Sequence, residues 1–359
     1  MSPEVQISNK KKILYCILNW GLGHATRSIP IINHLKSENY ELIIASSGRS
    51  KKLLETEYPD TEIINLPDYN ISYSQNAFWL PFKMLSQTPS LFINIRKEHQ
   101  WIKEFCKQEA IDLIISDNKF GCYHKEIPSI FITHQIRIKS PLKWMEPLIF
   151  CLNHRFIKKY SECWIPDYNN EKSLSGQLSK DKISIDKIFI GPISRFSYEN
   201  VEKKYKYCAI ISGPEPQRTI LEKVIIDVLK ELQEKSIIIC GKPESKKEEN
   251  INNLTIKNIA FGKDLENIIN ASEIIISRAG YSSIMDYAAL RANAIIIPTP
   301  GQTEQEYLAH YLNKHPSFIS MNKVDAEEIK KATFKKAASD IIETNYELIS
   351  ARIKALISR

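Results

Sequence analysis

The sequence has no run of about 20 apolar residues, the length a membrane-spanning helix needs. The most apolar-leaning candidate, Met84 to Ile95, is broken by Ser86, Gln87, Thr88 and Pro89. The first residues, MSPEVQISNKKK, are polar and lack the apolar centre of a secretory signal, so a cytoplasmic protein is expected. There is no Cys-x-x-Cys pair. The seven cysteines, at 16, 106, 122, 151, 163, 208 and 240, are odd in number, and Cys16, Cys208 and Cys240 sit inside apolar runs. That reads as core thiols in a reducing compartment. The eight histidines form no His-x-x-x-His or His-Glu-x-x-His pattern, and no Asp-x-Asp turn ends a strand, so neither a metal site nor a metal cofactor is expected. No short-period repeat is found. Strong charge imbalance is missing too: the net charge is +7, with five of the seven excess charges in residues 1–200. That is too mild for a nucleic-acid-binding face, but it admits an anionic partner for the first half.

What is present is a chain of 359 residues, 43% apolar and 25% charged, with room for two domains of roughly 150–200 residues. Apolar runs at 13–18, 41–46, 62–66, 112–116, 129–133 and 187–190 read as strands, with helical patterns between most of them, near 24–37 and at 91–109. The alternation restarts after a charged, weakly periodic stretch, with strand candidates at 207–211, 236–240, 274–276 and 294–297. Strand–helix alternation implies parallel βαβ units and a doubly wound sheet. The expectation is therefore α/β, with two doubly wound domains at 1–192 and 206–335, a linker at 193–205, and a C-terminal helix at 336–359. The charged segment 241–250 reads as an exposed loop. In the tail, Ile341, Ile342, Leu348, Ile349, Ile353 and Leu356 recur at helical spacing. Ligands bind such sheets outside the C-terminal strand ends, so the cleft between the halves is the expected site.

The most informative stretch is 277–312, SRAGYSSIMDYAALRANAIIIPTPGQTEQEYLAHYL. A buried strand ends at Ser277-Arg278-Ala279-Gly280. Ser282 and Ser283 suit a helix start, and a helix start offers free N–H groups to a phosphate. Asp286, just over a turn in, suits a ribose diol. Gln302, Glu304, Gln305 and Glu306 open the next helix and suit sugar hydroxyls. The same residues would equally serve as caps and dipole partners of their own helices.

This stretch resembles the donor-binding region of glycosyltransferase family 28, whose best-known member adds N-acetylglucosamine to a lipid-linked precursor of the cell-envelope polymer peptidoglycan. The shared pattern is a strand, Ser-Arg-x-Gly, an acidic residue six after the glycine, an apolar strand, proline, and a Gln/Glu-rich helix start. The resemblance implies the two-domain, Rossmann-like GT-B fold and a UDP-sugar as substrate rather than cofactor. It places Asp286 on the ribose, Gly280, Ser282 and Ser283 at the diphosphate, and Gln302, Glu304 and Gln305 at the sugar. Phe261, in Phe-Gly-Lys-Asp, would pack on the uracil. Where the family has a glycine-rich loop, this sequence has Ser212-Gly213-Pro214-Glu215-Pro216-Gln217-Arg218. There Arg218 would add charge in place of N–H groups, as would Arg278.

In the first half, Asn19-Trp20-Gly21-Leu22-Gly23-His24 follows the first strand and opens a helix. The glycines let backbone approach a ligand. A histidine at a helix N-terminus stays neutral and can take a proton, which makes His24 the candidate base, with Asp117 an alternative. Thr26 and Arg27 are candidates to assist at phosphate. The family has a similar turn ending in histidine, and by the same resemblance His134 and Gln135 line the acceptor side. Phe78–Met84 and the segment from Trp144 to Phe150, followed by Arg155, Lys158 and Lys159, read as buried helix with ordinary surface lysines; the resemblance implies instead a basic-apolar patch that meets the inner face of a membrane.

The expected activity is metal-independent, inverting transfer of a hexose or N-acetylhexosamine from a UDP-sugar to a lipid-linked or other glycan acceptor, with no nucleic-acid partner. A nucleotide-sugar hydrolase, a sugar 2-epimerase and a non-catalytic nucleotide-sugar-binding protein fit the same signals. A dinucleotide oxidoreductase does not, because Thr26 stands where Gly-x-Gly-x-x-Gly needs its third glycine.

Overall fold

The structure is a computed structural model and describes residues 10–69, 80–242, 247–335 and 342–358. The first half runs β1 (Lys12–Ile17), α1 (Gly23–Ser37), β2 (Glu41–Ser46), α2 (Gly48–Glu57), β3 (Ile63–Asn65), α3 (Leu80–Gln108), β4 (Leu113–Asp117), β5 (Ser129–Ile132), α4 (Glu146–Ile157), β6 (Glu162–Ile165) and β7 (Asp186–Phe189). Its seven strands pair in the order β3-β2-β1-β4-β5-β6-β7, all parallel.

The second half runs β8 (Tyr205–Ile210), α5 (Gln217–Leu232), β9 (Ser236–Ile239), β10 (Glu248–Ile251), β11 (Leu254–Lys257), α6 (Gly262–Asn270), β12 (Ser272–Arg278), α7 (Tyr281–Ala289), β13 (Asn293–Ile297), α8 (Thr303–Leu312), β14 (Phe318–Ser320) and α9 (Ala326–Lys331). Its sheet has the order β10-β11-β9-β8-β12-β13-β14. Both domains are Rossmann-like, and strand order reverses beside β1 in one and beside β8 in the other.

Isoleucine dictates much of this. β9, β12 and β13 each carry three consecutive isoleucines, all but one of the nine below 4% exposed. Strands covered on both faces by helices read as continuous β-branched runs. Fully burying one such side chain contributes about 1.5–3 kcal/mol. Segment 241–250 differs from the loop expected of it: Glu248–Ile251 is a strand, paired antiparallel with β11 at the sheet's edge, and residues 243–246 lie outside the described ones.

The last helix, α10 (Tyr346–Ile357), packs on the first domain. Ile349, Ile353 and Leu356 recur at i, i+4 and i+7 and join the core under β1 and β4. Asn345 caps the helix by accepting the Leu348 N–H, and its own N–H reaches the Ile190 carbonyl at 2.8 Å. Arg352 pairs with the buried Glu162 of β6. Ile341 lies outside the described residues. All seven cysteines are free, and Cys16, Cys208 and Cys240 are buried as expected.

Candidate active site

The site begins where β1 ends. Asn19 pins the following turn: its side chain donates to Asp68 at 2.7 Å and accepts the Ser50 N–H at 3.2 Å. No side chain caps the start of α1. β1 lies beside β4, with Ile17 paired to Asp117, so the register sets the first turn of α1 over that carboxylate. His24 Nδ1 lies 2.7 Å from Asp117 Oδ1. Nδ1 then carries the hydrogen, and Nε2 is left as an acceptor. Arg27, one turn along, donates Nε to Asp117 Oδ2 at 2.7 Å and a second N–H to Oδ1. Burial opposes a charge on Asp117, yet Arg27 and His24 hold its pKa well below the carboxylate norm. Burial and the Arg27 charge push His24 down against the pull of Asp117, so it is neutral at neutral pH.

The second domain closes over this pair. α7 points its N-terminus at that of α1, and Ser282 Oγ donates to the Gly23 carbonyl at 3.0 Å. A Cβ on Gly23 would stand 2.9 Å from that hydroxyl, so a larger residue would have to displace the Ser282 hydroxyl from this bond. Tyr281 stacks on His134 with ring centres 4.1 Å apart, and its hydroxyl donates to the Pro166 carbonyl at 2.8 Å. His134 Nε2 lies 2.8 Å from Glu304 Oε1 at the start of α8, and the neighbouring Gln135 side chain also favours the Glu304 carboxylate. Burial works against ionisation of Glu304, but His134 holds its pKa below normal. Lower on α8, Tyr307 and Tyr311 sit against Gly176, whose positive φ and lack of a Cβ admit them.

Residues 209–348 match the pattern of the glycosyltransferase family 28 C-terminal domain, and residues 11–185 match that of a glycosyl transferase family 1 domain. The chain is a glycosyltransferase of the GT-B fold. An uncharacterized glycosyltransferase of Methanopyrus kandleri is 20% identical over 301 residues, 79% of this chain and 82% of the relative. A UDP-N-acetylglucosamine--N-acetylmuramyl-(pentapeptide) pyrophosphoryl-undecaprenol N-acetylglucosamine transferase of Sulfurihydrogenibium is 26% identical over 152 residues, 42% of either chain. The solved glycotransferase of kitacinnamycin superposes with a TM-score of 0.65 at 12% identity, over 97% of this chain and 94% of its own, and shares the fold.

Other residues of this glycosyltransferase picked out by sequence fall on the second domain's side of the cleft. Gly280 is the N-cap of α7, and Ser282 and Ser283 lie in its first turn without capping it. Asp286 accepts the Ser194 hydroxyl at 2.7 Å, and burial pushes its pKa up to about 6 against the pull of Arg195. Arg278 is 6% exposed. Its Nη atoms donate to the Pro298 and Gln217 carbonyls, its Nε has no partner, and burial lowers its pKa to about 10. Phe261, the N-cap of α6, is 47% exposed. Ser212 and Gly213 are exposed beyond β8. Gln305 takes the Thr299 N–H and donates to Gln302 at 2.5 Å, so these two glutamines shape the turn after β13.

Three expectations need correcting. Asp117 is no rival base to His24, since it is 1% exposed and both its oxygens are taken by Arg27, His24 and Ser28. Arg27 is not at a phosphate, since it is 3% exposed and faces Asp117 and His134. Arg218 is tied to Glu215, Glu222 and the Cys240 carbonyl and is not free to offer its fork to a diphosphate. Sequence reasoning missed Tyr281, Ser194 and Arg195. Arg195 has a buried Nε without a partner beside Asp286. Among the described residues no group of three or more His, Cys, Asp or Glu is placed to hold a metal ion.

Proposed function

We propose that this glycosyltransferase moves a hexose or N-acetylhexosamine from a UDP-sugar to a glycan or lipid-linked acceptor in a single inverting displacement. The observation that carries the reading is the His24–Asp117 pair under the paired starts of α1 and α7. Nε2 of His24 takes the proton from an acceptor hydroxyl, whose oxygen attacks the anomeric carbon as the bond to the diphosphate oxygen breaks. Charge on the departing diphosphate meets the free N–H groups of α7 and the cation of Arg278. Asp286, with Ser194 beneath it, takes the ribose diol, Phe261 the base, and Glu304 a sugar hydroxyl once His134 releases it. In this reading residues 1–192 receive the acceptor, 206–335 hold the donor, and 336–359 return to the first domain.

The acceptor class rests on the name of the Sulfurihydrogenibium relative and on surface chemistry. Trp144 and Leu148 are 74% and 56% exposed beside Lys143 and Arg155, a surface suited to the inner face of an anionic membrane. Phe78 and Trp79 lie outside the described residues, and only the helical backbone of Leu80–Met84 is described. Among the described residues no helix is long and apolar enough to cross a membrane.

A panel of UDP- and TDP-sugars, offered without metal or acceptor, tests the donor side by thermal shift and free-nucleotide release. Stabilisation by one UDP-sugar with negligible release supports the transferase. Rapid release that disappears in His24→Ala replaces it with a hydrolase. Equal indifference to every nucleotide-sugar refutes it.

A further inference from the structure

Arg27 has no role in the chemistry above, yet it grips Asp117, the carboxylate bonded to His24. Its guanidinium is closed off from solvent, so a diphosphate has no path to it. Three of its N–H groups are committed: Nε and one Nη to the two oxygens of Asp117, and Nη1 to His134 Nδ1 at 3.3 Å. Spaced i, i+3 on α1, His24 and Arg27 share the helix face toward β4 and grip the same carboxylate from two sides.

We propose that Arg27 is the positioning residue of the base, holding Asp117 under His24 and extending that hold through His134 to Glu304 of the donor domain. This rests on His24 being the base. The planar fork matters, because only a guanidinium reaches both carboxylate oxygens and keeps a donor for a third group. With Nδ1 of His134 accepting from Arg27, the ring hydrogen sits on Nε2 and is given to Glu304. The base and the interdomain contact are thus the two ends of one hydrogen-bonded chain.

The charge matters as well. Asp117 under His24 draws its pKa up, while burial and, after it, the Arg27 charge push it down. The groups facing His24 are Asp117 from β4, Arg27 on its own helix, His134 after β5 and Glu304 from α8; Tyr15 of β1 and Tyr281 of α7 face Arg27. Arg27 is the one permanent cation in this set, and it offsets Asp117.

The test needs no acceptor and no turnover, so it fails separately from the transferase reading. The His24 ring is followed by NMR across pH in the wild-type chain, in Arg27→Met and in Arg27→Lys, with His24→Ala assigning the signal. Removing the cation in Arg27→Met should raise the His24 titration midpoint by about 1 pH unit, with affinity for UDP unchanged. In Arg27→Lys the charge stays but the fork is lost. The midpoint should stay near wild type, while the downfield Nδ1–H signal of the bond to Asp117 broadens away. An unchanged midpoint in folded Arg27→Met overturns the proposal. So does an intact Nδ1–H signal in Arg27→Lys, which decides the matter if the Met variant does not fold. Loss of UDP affinity with an unmoved midpoint would make Arg27 a phosphate ligand instead.

Discussion

Replacing Asp286 with asparagine should make the ligand-free protein more stable at neutral pH while weakening its hold on the nucleoside. Burial lifts the Asp286 pKa from 3.8 to about 6 despite the Ser194 hydroxyl and the nearby Arg195 charge. The unfolded chain releases this proton near pH 4, the folded one near pH 6. Between those values the folded state binds the extra proton, so stability falls as pH rises, by about 1.4 kcal/mol per unit. Across the window the loss is about 3 kcal/mol, an upper value because solvent at the cleft edge screens the charge. Asparagine keeps an oxygen for Ser194 and carries no charge, so the variant escapes that loss.

The assay is urea unfolding of both proteins, without nucleotide, at several pH values from about 4.5 to 7. The stability gap should move in favour of Asp286→Asn as pH rises, whatever constant offset the substitution adds. Uridine binding gives the second readout, since uridine carries the ribose diol and no phosphate that titrates in this range. Wild-type affinity should rise with pH through about 6. The variant should bind about 10–100-fold more weakly, the worth of charge-assisted hydrogen bonds to a diol. A gap that stays constant with pH refutes the assignment of a strained carboxylate at 286. A moving gap with undiminished uridine binding removes it from the ribose site.

Asp117→Asn should lower kcat by about 10³–10⁴, as loss of the group that fixes a catalytic tautomer does. It should also cost about 3–5 kcal/mol in urea unfolding, because Arg27 is left buried and unpaired. Lys119→Met should destabilise the first domain by about 3–5 kcal/mol, since Lys119 and Glu98 form a fully enclosed pair at 2.5 Å; the double variant with Glu98→Gln should recover part of that loss. Ile353→Ala should cost about 2–5 kcal/mol by opening a cavity between α10 and the first sheet; a loss below 0.5 kcal/mol would mean α10 is not a fixed part of that core.

The central strands were legible because parallel strands covered on both faces must be apolar throughout, and isoleucine runs mark them. Of the strands that escaped, β6, β10, β11 and β14, the first two are explained by their surroundings. β6 reads Glu-Cys-Trp-Ile, and its buried Glu162 is made tolerable by Arg352 from α10 and by the Trp164 Nε1–H at 2.8 Å. β10 is polar because it is an edge strand, where charge blocks further pairing; the two-residue turn Asn252-Asn253, with Asn252 at a positive φ, was its available signal. In the site, the helix-start histidine and the Ser-Arg-x-Gly turn could be found because each is local. Arg27 was visible in spacing, three after His24, but its partner lies 90 residues away and only the strand order brings it near. Ser194 and Arg195 stand between the sheets, where no periodicity points to them.

The glycine-poor loop after β8 also has a physical counterpart. A glycine-rich turn would offer backbone N–H groups to a diphosphate, but here Ser212–Arg218 holds two prolines and an arginine tied to its own helix. Positive potential is supplied elsewhere. Among the described residues no carboxylate pairs with Arg278, and its charge is enclosed where the ends of β12 and β13 meet the start of α5. A buried cation without a counter-ion is costly in the empty protein, which is why its pKa falls. Under the proposed donor placement, an anion arriving in front of α7 would relieve that cost, and Arg278 would stand in for the backbone N–H groups that a glycine-rich loop offers. In that placement the anion would meet the same helix start that holds Gly23 through Ser282, and with it the helix that carries His24.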